Sequence, residues 1–304
     1  MLPWIILIIN LIAVNGQYNA GENDDSVVFE GLVRRFLVHV PQAFFNVEVE
    51  EVPYNMVILL HGGGGTGQHM YETYGFAPVA ERENFIAVYP QGYGYSWNGG
   101  SCCGEAANSD INDVGFVADT IPSIVENELS RSNSTRPLNK IFYMGHSNGG
   151  FLAVRVGCER AEVMGSRFGA VAMYGSDLEY PQCDSNVPFR YYHFHGTDDA
   201  YVKWEGGKSC NSESVFIGVN ATLEHIISQN ECGRTTQFLY ADEELSCFAY
   251  QQCEEDVVIC PLEGVGHVFP PRQSDRQCDE DGAMSFLTTV PTHMYDFMKG
   301  EGVN

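Results

Sequence analysis

Positive charge is scarce in this chain of 304 residues. Lysine and arginine together number 16 against 40 aspartates and glutamates, which leaves a formal net charge of −24. The phosphate backbone of DNA or RNA would be repelled by such a surface, so nucleic-acid binding is excluded as a main function. A polyanionic substrate is disfavoured for the same reason, whereas a neutral substrate is not.

The chain also lacks an apolar run long enough to cross a membrane comfortably. Residues 2–14 are almost entirely apolar, but a spanning helix needs ~20 such residues. Small residues follow this run, so residues 1–16 are predicted to be a secretory signal peptide, with an uncleaved N-terminal anchor as the alternative. We therefore expect a secreted, extracellular protein without stable membrane association.

Metal-type cysteine spacing is absent as well. None of the ten cysteines forms a Cys-x-x-Cys pair, the spacing typical of zinc and redox sites. An even number of cysteines in a secreted chain instead predicts disulfides, whose pairing the sequence leaves open. The adjacent Cys102 and Cys103 are expected to bond to separate partners. Sequons at Asn133 and Asn220 agree with secretion.

Apolar runs of strand length are what the chain does contain. They are separated by segments of helical length, which predicts a mostly parallel central sheet with helices on both faces, an α/β fold. We see no linker or repeat, so residues 17–304 are predicted to form one domain. The predicted strands lie at 56–60, 85–89, 141–144, 169–174 and 189–194.

The remaining segments are less regular. Residues 27–40 alternate as a strand or hairpin, and 203–252 are expected to hold loops and short strands. Pro122 should kink its helix or mark a late start. Residues 284–298 are predicted to close the chain as an amphipathic helix.

The most informative motif is GHSNGG at residues 145–150. It follows a predicted strand and precedes a predicted helix, which is the setting of a nucleophile elbow. Ser147 would stand at the apex of a sharp turn that only glycine neighbours permit. The alternative is a glycine-rich turn with an incidental serine.

A serine nucleophile needs a base and an acid, and in this architecture they follow it in the order acid, then histidine. HGTDD at residues 195–199 carries two carboxylates in a turn, and His267 stands in a glycine-flanked loop. Ser147, Asp199 and His267 are the predicted catalytic residues. Asp198 is the competing acid, and a surface-loop histidine is the alternative for His267.

A tetrahedral intermediate also needs backbone donors. Residues 61–64 read HGGG after an early strand, where one such donor normally arises. The backbone N–H groups of Gly63 and Asn148 are the predicted oxyanion hole. A phosphate-binding loop is the other reading, but no Gly-Lys-Ser/Thr follows.

Together these motifs make the chain resemble the secreted esterase family of polyhydroxybutyrate depolymerases, feruloyl esterases and carbohydrate esterase family 1 acetylxylan esterases. In that family the acid is the fourth residue after the histidine of the His-Gly-Thr turn, which is Asp199 here, and the first oxyanion donor follows the His-Gly pair, which is Gly63. The matching segments are 34–41 (RRFLVHVP), 60–62 (LHG), 89–92 (YPQG), 97–104 (WNGGSCCG), 112–117 (NDVGFV), 145–150 (GHSNGG), 195–199 (HGTDD) and 266–267 (GH).

The resemblance implies an α/β-hydrolase fold and a serine esterase. Trp97 lies in a segment that resembles the rim of the active site and is the predicted substrate-binding residue, with core packing as its alternative. Gly63 replaces a cysteine that the family often carries, and Phe269-Pro270 replaces a common Trp-Pro. Both departures fall near the acyl pocket, so the substrate is the least specified feature.

No cofactor or metal is expected. His193 and His195 lie on one face of a strand, and no third metal ligand is in view. Asp113 is expected to cap the helix that follows it.

The predicted partner is an ester substrate, namely feruloyl or acetyl esters of plant-type polysaccharide. The alternatives are a polyhydroxyalkanoate depolymerase, a peptidase, and a non-catalytic binding protein on a hydrolase scaffold. The oligomeric state is left open.

Overall fold

A computed structural model describes residues 17–46, 52–132, 134–178, 183, 187–210, 213–241, 245–267 and 290–300. The predicted signal peptide, Asn133, Cys278, Phe269 and residues 284–289 of the predicted last helix lie outside these residues. Within them the strands are β1 (Gly21–Phe29), β2 (Leu32–Val40), β3 (Tyr54–Leu60), β4 (Ile86–Pro90), β5 (Leu138–His146), β6 (Phe168–Tyr174), β7 (Tyr191–Gly196), β8 (Gly207–Lys208), β9 (Val215–Phe216), β10 (Thr236–Ala241), β11 (Ser246–Tyr250) and β12 (Val257–Leu262).

Helices connect most of these strands. They are α1 (Gly67–Thr73), α2 (Phe76–Glu83), α3 (Gly104–Asn108), α4 (Ile121–Arg131), α5 (Asn148–Met164), α6 (Val219–Gln229) and α7 (Val290–Lys299). Short 3-10 turns lie at Gln42–Phe45 and Gly165–Arg167. A π-helical turn at Gly115–Thr120 leads directly into α4.

Ten strands form one sheet in the order β1-β2-β4-β3-β5-β6-β7-β12-β11-β10. The six central strands, from β4 to β12, run parallel to one another. Both edges are antiparallel, with β1 and β2 at one side and β11 and β10 at the other. This is the mostly parallel sheet that the sequence predicts, and the α/β fold class is confirmed.

The sheet is covered on both faces because its central strands are apolar throughout. Residues 56–60 of β3 have no exposed surface, and burying each such side chain contributes roughly 1.5–3 kcal/mol. Apolar side chains of α4, α5 and α6 pack on one face. Those of α1, α2 and α7 pack on the other.

This topology collects four loops at one edge of the sheet. β3, β5, β7 and β12 are parallel, so their carboxyl ends lie on the same side. The loops that leave these ends carry Gly63, Ser147, Asp199 and His267. In open α/β sheets this edge is where ligands bind.

Two local expectations need correction. The irregular region 203–252 contains the eleven-residue helix α6 as well as short strands. Its apolar residues recur at helical spacing, and Val219, Leu223, Ile226 and Ile227 are buried. Pro122 is the second residue of α4, but the helical residues 113–120, including the π-helical turn, lead directly into it. The helix therefore does not begin late at Pro122, and its irregularity ahead of the proline is the π-helical turn.

Disulfides join several segments of the described chain. Bonds link Cys158 to Cys183, Cys232 to Cys253 and Cys247 to Cys260. Cys102 and Cys103 are bonded to each other, so the expectation of separate partners for them is wrong. No helix in this part of the chain is both long and apolar enough to cross a membrane.

Candidate active site

The turn at Ser147 has the geometry of a nucleophile elbow. Ser147 lies between β5 and α5 with φ 50° and ψ −122°, a strained combination for a residue with a side chain. Its N–H donates to the Tyr174 carbonyl at 2.8 Å, and its carbonyl accepts from Ser176 Oγ at 2.6 Å. These two bonds hold the strained residue in place.

Glycines make the turn sterically possible. A Cβ on Gly145 would overlap the carbonyl group of Gly149, and one on Gly149 would overlap the Leu60 carbonyl at the end of β3. Either substitution would push the helix away from the sheet. The spacing Gly-x-Ser-x-Gly is therefore required by backbone contact.

Three of the predicted residues come together at the sheet edge. Ser147 Oγ lies 2.8 Å from His267 Nε2, and His267 Nδ1 lies 2.7 Å from Asp199 Oδ2. A carboxylate can only accept, so Nδ1 carries the proton and Nε2 is left to accept the hydroxyl proton of Ser147. The geometry is that of a nucleophile, a base and an orienting acid.

Asp199 is buried and fully hydrogen-bonded. Its Oδ1 accepts from the backbone N–H groups of Tyr201 and Val202 at 2.9 and 2.8 Å. Burial by itself raises the pKa of Asp199, but the charge of His267 and the hydrogen bonds from His195 and His267 outweigh it and hold that pKa well below its ordinary value. Asp199 is therefore ionised, whereas Asp198 is exposed to solvent.

His146 supports His267 and was missed by the sequence interpretation. Its Nε2 lies 3.2 Å from the His267 carbonyl, and its Nδ1 lies 2.9 Å from the Tyr74 hydroxyl. A carbonyl only accepts, so His146 Nε2 donates to it and Nδ1 accepts from Tyr74. The only sequence signal was its place beside Ser147 in the elbow motif.

The predicted oxyanion loop lies directly over the elbow. A Cβ on Gly62 would stand 3.4 Å from Ser147 Cβ, and one on Gly63 would stand 3.7 Å from Asn148 Cβ. Asn148 is the first residue of α5, so its N–H has no partner within the helix. The positive end of the helix dipole adds to the field at this point.

Trp97 does not lie where a substrate could touch it. Its side chain has no exposed surface, and its indole Nε1 donates to the His61 carbonyl at 2.9 Å. The predicted substrate contact is therefore corrected to the packing alternative. The indole is buried because the two loops that flank Ser147 close around it.

Asp113 does not cap a helix, contrary to expectation. The cap is Asn112, whose Oδ1 accepts from Gly115 N at 2.9 Å. Asp113 is fully buried and accepts from Arg34 at 2.6 Å and from the Asn98 N–H at 2.8 Å. Burial raises the pKa of Asp113, although the positive charge of Arg34 lowers it in part.

His193 and His195 form a buried hydrogen-bonded pair. His193 Nε2 lies 3.0 Å from His195 Nδ1, and His195 Nε2 lies 2.7 Å from the Val202 carbonyl and 3.4 Å from Asp199 Oδ2. Burial and the neighbouring His195 hold the pKa of His193 well below its ordinary value. Among the described residues, no cluster of three or more His, Cys, Asp or Glu could hold a metal ion.

The fold and this site define an α/β-hydrolase. Comparison with known families then gives the particular one: residues 43–224 match the phospholipase/carboxylesterase family. The chain belongs to this family of carboxylic ester hydrolases. The resemblance found in the sequence and the class of enzyme it implied are thereby confirmed.

Individual relatives are more distant. The chain is 26% identical over 202 residues to feruloyl esterase B of Piromyces equi, a match that covers 63% of this chain and 35% of that protein. The chain thus spans about a third of the length of that curated relative.

Solved structures share the fold at low identity. An S-formylglutathione hydrolase from Agrobacterium tumefaciens superposes with a TM-score of 0.58 at 12% identity and covers 95% of this chain and 99% of its own. A CE1 ferulic acid esterase from Anaeromyces mucronatus gives a TM-score of 0.54 at 13% identity, with 95% of this chain and 94% of its own covered.

Proposed function

We propose that this protein is a secreted serine esterase in which Ser147 is the nucleophile, His267 the general base and Asp199 the orienting acid. The observation that carries the proposal is the unbroken series of hydrogen bonds from Ser147 Oγ through His267 to Asp199, at 2.8 and 2.7 Å. The three residues come from different loops, and random packing does not produce such alignment.

Acylation begins when His267 Nε2 takes the hydroxyl proton of Ser147. Ser147 Oγ bonds to the ester carbonyl carbon, and the carbonyl electrons move onto the oxygen. The backbone N–H groups of Gly63 and Asn148 bind this oxyanion, and each such donor contributes on the order of 10²-fold or more to turnover. The intermediate collapses, the alcohol takes the proton from His267, and the acyl group stays on Ser147.

Deacylation repeats these steps with water. His267 Nε2 takes a proton from the water, the hydroxide attacks the acyl carbon, and Ser147 leaves with the proton returned by His267. Asp199 stabilises the imidazolium that forms in each half of the cycle. The low pKa of Asp199 suits this role, because only the ionised carboxylate carries the negative charge that stabilises the imidazolium.

For the substrate we propose feruloyl or acetyl esters of plant-type polysaccharide. The similarity to feruloyl esterase B supports this choice. The net charge of −24 favours a neutral ester over an anionic one. A polyhydroxyalkanoate depolymerase would use the same residues and is the alternative that an activity panel must separate.

A non-catalytic binding protein is disfavoured by the same geometry. A protein that only binds does not require a nucleophile, a base and an acid within hydrogen-bond distance of one another.

Secretion remains part of the proposal, supported by the disulfides of the described chain and by the apolar residues 2–14. The N-terminal mass of protein recovered from culture medium tests cleavage after Gly16.

The central test replaces Ser147 with Ala. We expect Ser147→Ala to lose ester hydrolysis by a factor on the order of 10⁴ to 10⁶ and to lose labelling by a fluorophosphonate. Ser123→Ala, an exposed serine on α4, is the control and should behave as wild type. Residual activity above a tenth of wild type would show that Ser147 is not the nucleophile.

The substrate class is tested with methyl ferulate, acetylated xylan, a hydroxybutyrate oligomer and a peptide. Turnover of the first or second with Ser147-dependent kinetics supports the proposed substrate. A preference for the oligomer would establish the depolymerase, and hydrolysis of the peptide alone would establish a peptidase. No turnover and no fluorophosphonate labelling would favour the binding protein.

A further inference from the structure

The buried Trp97 touches both loops of the proposed oxyanion hole. Its backbone N–H donates to Asn148 Oδ1 at 2.6 Å, and its carbonyl accepts from Asn148 Nδ2 at 2.9 Å. Both polar atoms of the Asn148 side chain are thus held by one residue. Asn148 is the residue whose own backbone N–H is the proposed second donor.

The indole of Trp97 holds the other loop. Its Nε1 donates to the His61 carbonyl at 2.9 Å, two residues before Gly63. The indole and the His61 imidazole also pack against each other, with ring centroids 4.9 Å apart. The Trp97 side chain therefore holds the loop of residues 61–64 in place next to Ser147.

His61 sets the direction of the Gly63 N–H. His61 Nδ1 lies 2.8 Å from the Gly62 carbonyl, and Nε2 accepts from Gly92 N at 3.0 Å. A carbonyl can only accept, so Nδ1 carries the proton and pulls the Gly62 oxygen towards the ring. The N–H of Gly63 belongs to the same planar trans peptide, and it must point the opposite way.

The segment that carries Trp97 is itself anchored in the core. The next residue, Asn98, donates its N–H to Asp113 Oδ2 at 2.8 Å. Asp113 is paired with Arg34 of β2, and both side chains are almost fully buried. A buried pair of this kind resists movement, because breaking it leaves an uncompensated charge.

From these contacts we propose that Trp97 is a positioning residue that aligns both N–H donors of the oxyanion hole, Gly63 through its indole and Asn148 through its main chain. This inference rests on the proposed esterase function. It assigns Trp97 no contact with substrate. Its effect should appear in the stabilisation of the oxyanion and not in the binding of the ester.

The test replaces Trp97 with Phe, which keeps an aromatic ring and removes the indole N–H. We expect kcat for a soluble ester to fall by about tenfold or more, since misplacing a donor forfeits part of the 10²-fold or greater effect of losing one. KM should change little. The affinity for a trifluoromethyl ketone, which forms a hemiketal oxyanion on Ser147, should weaken by the same factor as kcat.

A second variant guards against misfolding of Trp97→Phe. Asn148→Ala removes the bonds to the Trp97 main chain but keeps the Asn148 N–H, and alanine is the best helix former. It should show the same loss of kcat with unchanged KM. Tyr143→Phe removes another buried aromatic donor, the hydroxyl that bonds the Met164 sulfur, and should retain wild-type kcat.

The outcomes are separable. If Trp97→Phe and Asn148→Ala lower the melting temperature but leave kcat and ketone affinity within threefold of wild type, Trp97 is a packing residue and the inference is wrong. If KM rises while kcat stays constant, the inference is also wrong, because Trp97 then affects substrate binding. Activity that survives in Ser147→Ala overturns the proposed function itself.

Discussion

At the scale of single residues, Asp198 and Asp199 are neighbours with different surroundings. Asp199 is buried and accepts from His267 and from two backbone N–H groups, whereas Asp198 is exposed. Only a carboxylate at the position of Asp199 can keep the His267 imidazole in the tautomer that accepts from Ser147. The two side chains are therefore a natural matched pair for mutation.

We expect Asp199→Asn to lower kcat by a factor on the order of 10³ to 10⁴, because an amide favours the wrong imidazole tautomer. Asp198→Asn should stay within about twofold of wild type, as exposed substitutions usually do. Steady-state kinetics on methyl ferulate measure both. A larger loss at position 198 would reverse the assignment of the acid.

His61 makes a separate prediction about stability. Burial lowers the pKa of His61 from 6.5 to about 4, although its hydrogen bond to Gly62 opposes the change. Below pH 6.5 the unfolded chain therefore binds a proton that the folded chain does not take up until about pH 4. The contribution of His61 is fully present above pH 6.5 and is lost as the pH falls through this window.

The expected loss is up to about 3 kcal/mol, at roughly 1.4 kcal/mol per pKa unit. Urea unfolding at pH 7, 6 and 5 should show a falling free energy of unfolding. In His61→Asn the slope of that fall should be smaller by up to one proton. An unchanged slope in His61→Asn would mean that His61 titrates normally in the folded protein.

At the scale of secondary-structure elements, the outer strands β10 and β11 are weakly attached. Among the described residues, β11 pairs with β12 at Phe248 with Ile259 and at Ala249 with Val258, and one further bridge joins Leu245 to Leu262. The disulfide between Cys247 and Cys260 joins the same two strands, and both side chains are fully buried. This bond stabilises the edge of the sheet next to the strand that leads to His267.

We expect Cys247→Ala/Cys260→Ala to lose about 3 kcal/mol of stability and about 5 °C in Tm, because the unfolded chain is no longer cross-linked and the core loses two sulfurs. Differential scanning fluorimetry measures the change. Activity at low temperature should persist, since β12 remains paired with β7 over six residues.

Dithiothreitol provides the control for this prediction. It should lower the Tm of the wild type more than that of the double variant, which has already lost the bond. Equal Tm values for the untreated wild type and double variant would show that the bond does not stabilise the edge.

At the scale of the whole molecule, the net charge of −24 opposes folding. Carboxylates that are far apart in the unfolded chain come closer in the folded one, and their repulsion costs stability. Salt screens this repulsion, because the Debye length falls from roughly 30 Å at 0.01 M to 3 Å at 1 M. Raising ionic strength should therefore stabilise the protein.

We expect Tm to rise by at least about 2 °C between 0.02 and 0.5 M NaCl at pH 7. KCl at the same concentrations is the control and should give the same rise, since screening does not depend on the cation. A constant or falling Tm in both salts would contradict the argument.

The sequence by itself determined the mostly parallel character of the sheet and the chemical character of its edge. Residues 56–60 and 141–144 are too apolar for any place but a strand covered on both faces. The glycines around Ser147 are required by backbone contacts within one short strand-turn-helix unit. Both features depend on near neighbours in the chain, so periodicity and motif spacing suffice to predict them.

Only the tertiary structure decided which long-range partners each polar group finds. Nothing local indicates that Asp113 meets Arg34, 79 positions away, instead of capping its own helix. The same holds for Trp97, which lies in a rim-like segment but is buried between His61 and Asn148. Such contacts depend on how loops from separate strands close over one another, and that packing is a property of the whole fold that no stretch of the sequence contains.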